Sequence, residues 1–185
     1  MTVQDIETPR LLLVQNYRPV KEHIKWLNDA ELMRWSEQRW VGHDWETQRR
    51  FLDKAQMDGN PLVWDIRMKI ENPNPAPSAD YGLRDLFPTI GSLHAYINDR
   101  HCRADLGIMI GPEFGRKGYG KEAWQAVCDY LRTVRGIEKF EAGCVNGNVG
   151  MVKILHARGW RVEGRRKRHF IIDGVRHDLI LWGAP

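Results

Sequence analysis

The chain has 185 residues, of which 42% are hydrophobic and 28% charged, and a formal net charge of +4. That composition excludes a disordered, collagenous or low-complexity protein, and no apolar run reaches the roughly 18 residues of a transmembrane helix. The length suits a single domain that hides roughly 70% of its unfolded surface, and the small positive charge fits either nucleic acid or a small polyanion.

Along the chain, Asp5, Glu7 and Arg10 interrupt the start, so it does not read as a signal peptide. Leu11 to Val14 reads as a short strand. Pro19 suits the first turn of a helix with Ile24 and Leu27 on its apolar side. Asp44 is a good N-cap for a second helix through Phe51 and Leu52, which Gly59 ends. Leu62 to Ile70 alternates apolar with polar residues, the period of a strand. Asn72-Pro73-Asn74-Pro75-Ala76-Pro77-Ser78 forbids a helix, and a long proline-rich loop is expected over 71–88.

Thr89 to Ile97 and Ala104 to Ile110 read as two strands joined through Asn98-Asp99-Arg100. From Lys117, apolar residues recur at Ala123, Val127, Tyr130, Leu131 and Val134, one face of a helix that Gly136 closes. Lys139 to Val145 is strand-like. Asn148 caps a short helix with Met151, Ile154 and Leu155 inward, and Gly159 stops it. Arg161 to Ile172 and Val175 to Trp182 flank Asp173-Gly174, the strongest two-residue hairpin signal. The order predicts an α+β fold with a mixed sheet of about seven strands and four helices.

Cys102, Cys128 and Cys144 are odd in number and lack metal-ligand spacing, which fits reduced thiols in a cytoplasmic protein without a metal. Five of the eight tryptophans, Trp26, Trp35, Trp40, Trp45 and Trp64, fall in the first 64 residues. Most are expected in the core, with one or two free to stack on a ligand. The run Arg165-Arg166-Lys167-Arg168-His169 lies in a strand, whose alternation divides it between two faces; it is expected to be solvated, with a site for an acidic acceptor or for nucleic acid as the alternatives.

The segment from Ile108 to Ala123 carries the chemistry. A strand ends, Gly115, Gly118 and Gly120 follow, and an amphipathic helix begins, with Arg116, Lys117 and Lys121 adding positive charge. Glycines let a backbone approach a ligand closely, and N–H groups at a helix start point at an anion, so a phosphate or diphosphate is the natural guest. A basic, glycine-rich surface turn would have the same composition. The spacing is neither a P-loop nor the dinucleotide fingerprint.

This Gly-x-x-Gly-x-Gly run resembles motif A of the GNAT superfamily, the acetyl-CoA-dependent N-acetyltransferases. Gly115 at the first position, and the segment from Asn148 and Met151 to Ala157-Arg158-Gly159-Trp160, are similar to the RimJ/RimL-type branch. The resemblance covers almost the whole chain. It implies a twisted sheet splayed between the fourth and fifth strands, opening after Ile110. The backbone of Ile108, Met109 and Ile110 would face the pantetheine arm. The residues Gly115, Arg116, Lys117, Gly118, Tyr119, Gly120 and Lys121 would hold the diphosphate, and Asn148 would contact the pantetheine region.

Attack of an amine on a thioester needs a base, a polarised carbonyl and a proton for the thiolate. Backbone N–H groups near Met109 and Ile110 are placed to polarise the carbonyl. Asp105, Glu113, His94 and Tyr96 are the candidate bases, and His94 and Tyr96 share a strand face. The family's proton-donating Ser and Tyr positions hold Met151 and Leu155 here, which leaves Tyr119, His156 or water as the donor, or a thiolate that departs unaided. A covalent route through Cys128 or Cys144 has no base placed beside it. Trp35, Glu37 and Trp40 are the candidate acceptor-side residues. The expected reaction acetylates the primary amine of a small molecule, an amino sugar or a nucleotide-linked one. A protein N-terminus or a polyamine is the alternative acceptor, and a non-catalytic acyl-CoA-binding module is the rival class. Neither nucleic acid nor membrane is expected as partner, and a homodimer is left open.

Overall fold

The computed structural model describes residues 5–70 and 87–184. The expected proline-rich loop lies, up to residue 86, outside the described residues. One mixed sheet has eight strands: β1 (Ile6–Glu7), β2 (Leu11–Gln15), β3 (Leu62–Met68), β4 (Thr89–Asn98), β5 (Arg103–Ile110), β6 (Lys139–Val145), β7 (Arg161–Ile172) and β8 (Val175–Ala184). Their order across the sheet is β1-β2-β3-β4-β5-β6-β8-β7. The count exceeds the expected seven by β1, a two-residue strand too short to show a period. Among the described residues four α-helices accompany it: α1 (Lys21–Leu27), α2 (Trp45–Asp58), α3 (Tyr119–Arg135) and α4 (Val149–Ala157). Among the described residues no helix is long and apolar enough to cross a membrane.

Local chemistry sets the ends of these elements. Asp44 accepts from the Thr47 N–H while the Thr47 side chain answers the Asp44 N–H, a capping box that starts α2. Gly59 and Gly136 end α2 and α3 in the left-handed conformation that costs glycine nothing. Asp173 and Gly174 both carry positive φ, the geometry of a two-residue hairpin turn.

The pleat divides the sheet into two faces. Leu11, Leu13, Trp64, Ile66, Leu93, Ala95, Ala104 and Leu106 form the main core with Ala123, Trp124, Val127 and Leu131 of α3 and Leu155 of α4. Val63 packs on the opposite face against Leu52 and Ala55 of α2. Because α1 and α2 cover this second face, the alternation of β3 does not separate a wet side from a dry one. Val63 and Asp65 are buried along with Trp64. In α1 the buried residues are His23 and Trp26, not the expected Ile24 and Leu27.

The expected strand alternation also fails in the basic run. A register shift falls between Arg166 and Phe170, Arg168 takes a positive φ, and residues 165–169 are all exposed. Asp178 binds this bulge by pairing with Arg165 and by accepting from the Arg168 N–H at 2.7 Å.

Candidate active site

Strands β5 and β6 run parallel but pair at only three positions, Arg103 with Lys139, Ala104 with Phe140 and Asp105 with Glu141. Beyond Asp105, β5 stays on β4 as far as Ile110, and β6 stays on β8 as far as Val145. A wedge therefore opens between residues 106–110 and 142–145. The splay begins at Asp105, five residues earlier than Ile110. On the wedge side, alternate residues of β5 present N–H and C=O groups that no strand among the described residues takes up.

The turn that follows β5 is locked from α1. A Cβ on Gly111 would overlap the Trp26 ring, and Trp26 meets Phe114 edge-on with centroids 6.5 Å apart. Arg116 and Gly118 have φ of 60° and 84°, and between them the backbone doubles back into α3. Alternating positive φ turns successive N–H groups toward one side, the concavity that receives anions. Gly118 is the N-cap and offers no side chain, so the first N–H groups of α3 are uncapped. Gly120 lets α3 sit against β5 and α4, since a Cβ there would stand 3.1 Å from Ile154 and 3.4 Å from Ile110.

The wedge and the loop share one cleft of about 970 Å³ with the space under α1 and α2. Ile108, Met109, Ile110, Gly115, Arg116, Gly118, Tyr119, Gly120, Lys121 and Asn148 line it. Lys117 does not; its ammonium sits 5.8 Å over the Phe114 ring. The Asn148 side-chain Oδ1 caps α4 by accepting from the Met151 N–H at 3.1 Å.

On the other side of the cleft, the pleat brings His94, Tyr96 and Ser92 of β4 to one face, opposite Gly107, Asp105 and Met109 of β5. The His94 ring lies over Gly107, where any Cβ would overlap it. It meets Tyr96 edge-on with centroids 5.6 Å apart. Neither ring nitrogen has a hydrogen-bond partner among the described residues. Loss of water pushes the imidazole pKa from 6.5 down to about 4, so His94 is neutral at pH 7 with a free lone pair.

Asp105 stands elsewhere. It is exposed at the floor of the splay and does not line the cleft. Desolvation and the facing Glu141 push its pKa up, against the pull of Arg103. Glu113 is also outside the cleft, 3.5 Å from Lys25. Of the acceptor-side candidates, Trp35 lines the cleft, packed so closely on Gly147 that a Cβ there would overlap its ring. Glu37 and Trp40 face outward, Trp40 at 72% exposure. Their short helical turn is held from below, through Arg34 and Arg39, each 3.0 Å from Asp173 at the tip of the β7–β8 hairpin.

The sequence reading missed a buried pair under the acceptor side. Asp65 is 1% exposed and His23 9% exposed, with Nδ1 3.8 Å from the carboxylate. The His23 Nε2 lies 3.1 Å from the Gly91 carbonyl, which requires a proton on that nitrogen. Asn16 donates to Asp65 at 2.7 Å and Arg67 at 3.4 Å. Burial nevertheless raises the Asp65 pKa, against His23 and Arg67, which lower it. The only sequence signal was a carboxylate flanked by Val63, Trp64 and Ile66 inside a strand.

An Acetyltransferase (GNAT) domain model matches residues 10–161, which includes every cleft residue described above. The chain belongs to the GNAT family. The Escherichia coli K12 spermidine N(1)-acetyltransferase is 32% identical over 84 residues, 45% of this chain and 45% of that protein. The chain spans about half the length of the curated relatives it matches. Among solved structures, a GNAT-family acetyltransferase from Bacillus anthracis superposes with a TM-score of 0.76 at 18% identity, covering 98% of both chains. RimL, a ribosomal-protein alpha-N-acetyltransferase bound to coenzyme A, superposes with a TM-score of 0.74 at 18% identity, covering 98% of this chain and 97% of RimL. These likenesses establish the GNAT fold.

Within that fold, several candidate proton donors and nucleophiles are placed away from the wedge or already engaged. Leu155 is core, and Met151 lines the cleft without a transferable proton. The Tyr119 hydroxyl donates to the Met68 sulfur at 3.2 Å. His156 is exposed beyond the cleft, edge-on to Trp182 at 4.7 Å. Burial pushes the Cys128 thiol up to about 12 and also raises Cys144, so neither supplies a thiolate at neutral pH. Among the described residues no group of three His, Cys, Asp or Glu side chains could hold a metal.

Proposed function

We propose that this GNAT chain transfers the acetyl group of acetyl-CoA to the primary amine of a small acceptor with a neutral or anionic body, an amino sugar, free or nucleotide-linked. The lining of the acceptor side carries this reading. Ser36, Gln38, Gln48 and Ser92 offer neutral hydrogen-bonding groups, and Trp35 offers an aromatic face. Such a wall suits hydroxyls and a ring. Asp65 is the one carboxylate among the described lining residues, and it is buried against His23, Asn16 and Arg67. A polyamine, with two or more cations to hold, would lack carboxylate partners here.

The uncapped N–H groups at the start of α3, with Arg116 and Lys121 beside them, fit the CoA diphosphate. Bound acetyl-CoA supplies the acetyl thioester. The chain itself does three things. The backbone of residues 108–110 orients the donor along the wedge, and its N–H groups face the carbonyl to be attacked. His94, which lines the cleft neutral and unpartnered, relays the ammonium proton to water; the amine nitrogen then bonds to the carbonyl carbon, the carbon–sulfur bond breaks, and CoA leaves as a thiolate that takes its proton from water. The α1–α2 cover excludes water from the face that the amine crosses. The Gly115 start of the loop and the Asn148 cap support a place in the RimJ/RimL-type branch.

A thiol-release assay tests the reading with glucosamine, a nucleoside-diphosphate amino sugar, spermidine and a peptide with a free N-terminus. The expected result is a kcat/KM for an amino sugar at least tenfold above that for spermidine. A preference for spermidine or the peptide overturns the acceptor class. Tight CoA binding without turnover of any amine leaves a non-catalytic acyl-CoA-binding module.

A further inference from the structure

The loop at the start of α3 is held from behind by the N-terminal turn between β1 and β2, more than a hundred residues away in sequence. Glu122, in the first turn of α3, receives four donors from that turn. The Thr8 hydroxyl donates to Oε1 at 2.6 Å and the Arg10 N–H to the same oxygen at 3.0 Å. The Arg10 guanidinium takes Oε2 with two nitrogens, Nε and Nη2, each at 2.7 Å. Its third nitrogen, Nη1, donates to the Lys117 carbonyl at 3.0 Å. The guanidinium plane lies 4.7 Å from the centroid of the Tyr119 ring. Arg10 does not line the donor cleft; it sits on the outer side of the loop, and Gly118 leaves it room.

Two physical consequences follow. A carboxylate in the first turn of a helix competes with a bound anion for the helix's positive end. Glu122 cannot do so here, because both its oxygens are saturated from behind by a fixed guanidinium fork. The second consequence concerns the backbone. By taking the Lys117 carbonyl, Arg10 fixes the peptide between the two positive-φ residues, Arg116 and Gly118, with its oxygen turned away from the cleft. The N–H groups that follow are then held facing the cleft before any ligand arrives, which removes an ordering cost from binding.

We propose that Arg10, braced by Glu122 and Thr8, is a positioning residue that presets the loop for the donor's diphosphate. This rests on reading that loop as the diphosphate seat. Arg10 acts through backbone geometry, by a fork that lysine lacks, rather than by charge alone.

The test titrates the purified chain with CoA and with pantetheine, which lacks the diphosphate, by quenching of tryptophan fluorescence. Arg10→Met keeps the stem over Tyr119, and Arg10→Lys keeps the charge. Both are expected to raise the CoA Kd at least tenfold while shifting the pantetheine Kd less than twofold. Thr8→Val, which removes one brace and spares the guanidinium, is expected to give a smaller shift of the same sign. It also serves as the readout if the Arg10 variants fail to fold. Unchanged CoA affinity in Arg10→Met, or wild-type affinity in Arg10→Lys, overturns positioning by the fork. Equal weakening of CoA and pantetheine overturns it as well, since that marks general disruption. If wild-type chain binds CoA no more tightly than pantetheine, the loop is not a diphosphate seat and the clamp falls with that reading.

Discussion

At the scale of single residues, the site turns on which titratable group the pleat delivers to the cleft. His94 and Asp105 face the same side of adjacent strands, yet only His94 lines the cleft. Three residues separate Asp105 from Met109 along β5, and the cleft wall ends between them. The desolvation that keeps His94 neutral sets the pH behaviour. Its pKa of about 4 means the reactive form is lost only as pH falls through that value, not through 6.5. His94→Gln is expected to lower kcat/KM by on the order of 100-fold and to abolish an acid limb near pH 4. Asp105→Asn is expected to leave that limb in place. Steady-state profiles of the three proteins decide it: a limb lost in Asp105→Asn and kept in His94→Gln reverses the assignment. The strand period alone placed His94 and Tyr96 on one face. No local signal placed Trp35 in the cleft and left Glu37 and Trp40 outside, because the anchors of that segment, Gly147 and Asp173, lie more than a hundred residues downstream.

At the scale of elements, helix and strand limits were legible because short-range chemistry writes them. Asp44, Gly59, Gly136 and Asn148 act on neighbours within five residues, and each does in the fold what its side chain or backbone freedom dictates. The loop before α3 belongs to the same scale. Gly118, at φ 84°, caps the helix with its backbone alone, so the N–H groups stay open. Gly118→Asp imposes a strained left-handed residue, costing about 1–3 kcal/mol, and adds a carboxylate at the helix start. Calorimetry is expected to show CoA affinity reduced at least tenfold in this variant. Unchanged affinity means that the diphosphate lies elsewhere. The failures at this scale have two causes: β1 is too short to show a period, and the bulge in β7 breaks the alternation that its basic run had suggested.

At the scale of the whole molecule, the α1–α2 cover converts an ordinary half-polar strand into a buried one and traps Asp65 beneath the acceptor side. The pH dependence of stability reports this. Burial raises the Asp65 pKa above its ordinary 3.8. The folded state therefore binds a proton that the unfolded state releases. The contribution to stability is fully present below pH 3.8 and is lost as pH rises through the higher folded value. Asp65→Asn keeps an acceptor for the Asn16 amide and cannot titrate. The difference in Tm, wild type minus Asp65→Asn, is expected to fall as pH rises from below 3.8 toward neutrality. A difference that rises over that range means that the ties to His23 and Arg67 outweigh burial and that Asp65 is ionised by choice of the fold.

The sequence by itself determined the order of strands and helices, the glycine-rich start of α3 and, through these, the GNAT resemblance, because each is encoded by residues close together in the chain. The tertiary structure alone decided where β5 parts from β6, which of the candidate bases enters the wedge, and that Asp65 is buried with His23. It also joined Arg10 to Glu122. These depend on strand register and on helices laid across the sheet, so they arise from contacts between residues tens to more than a hundred positions apart, which no local pattern records.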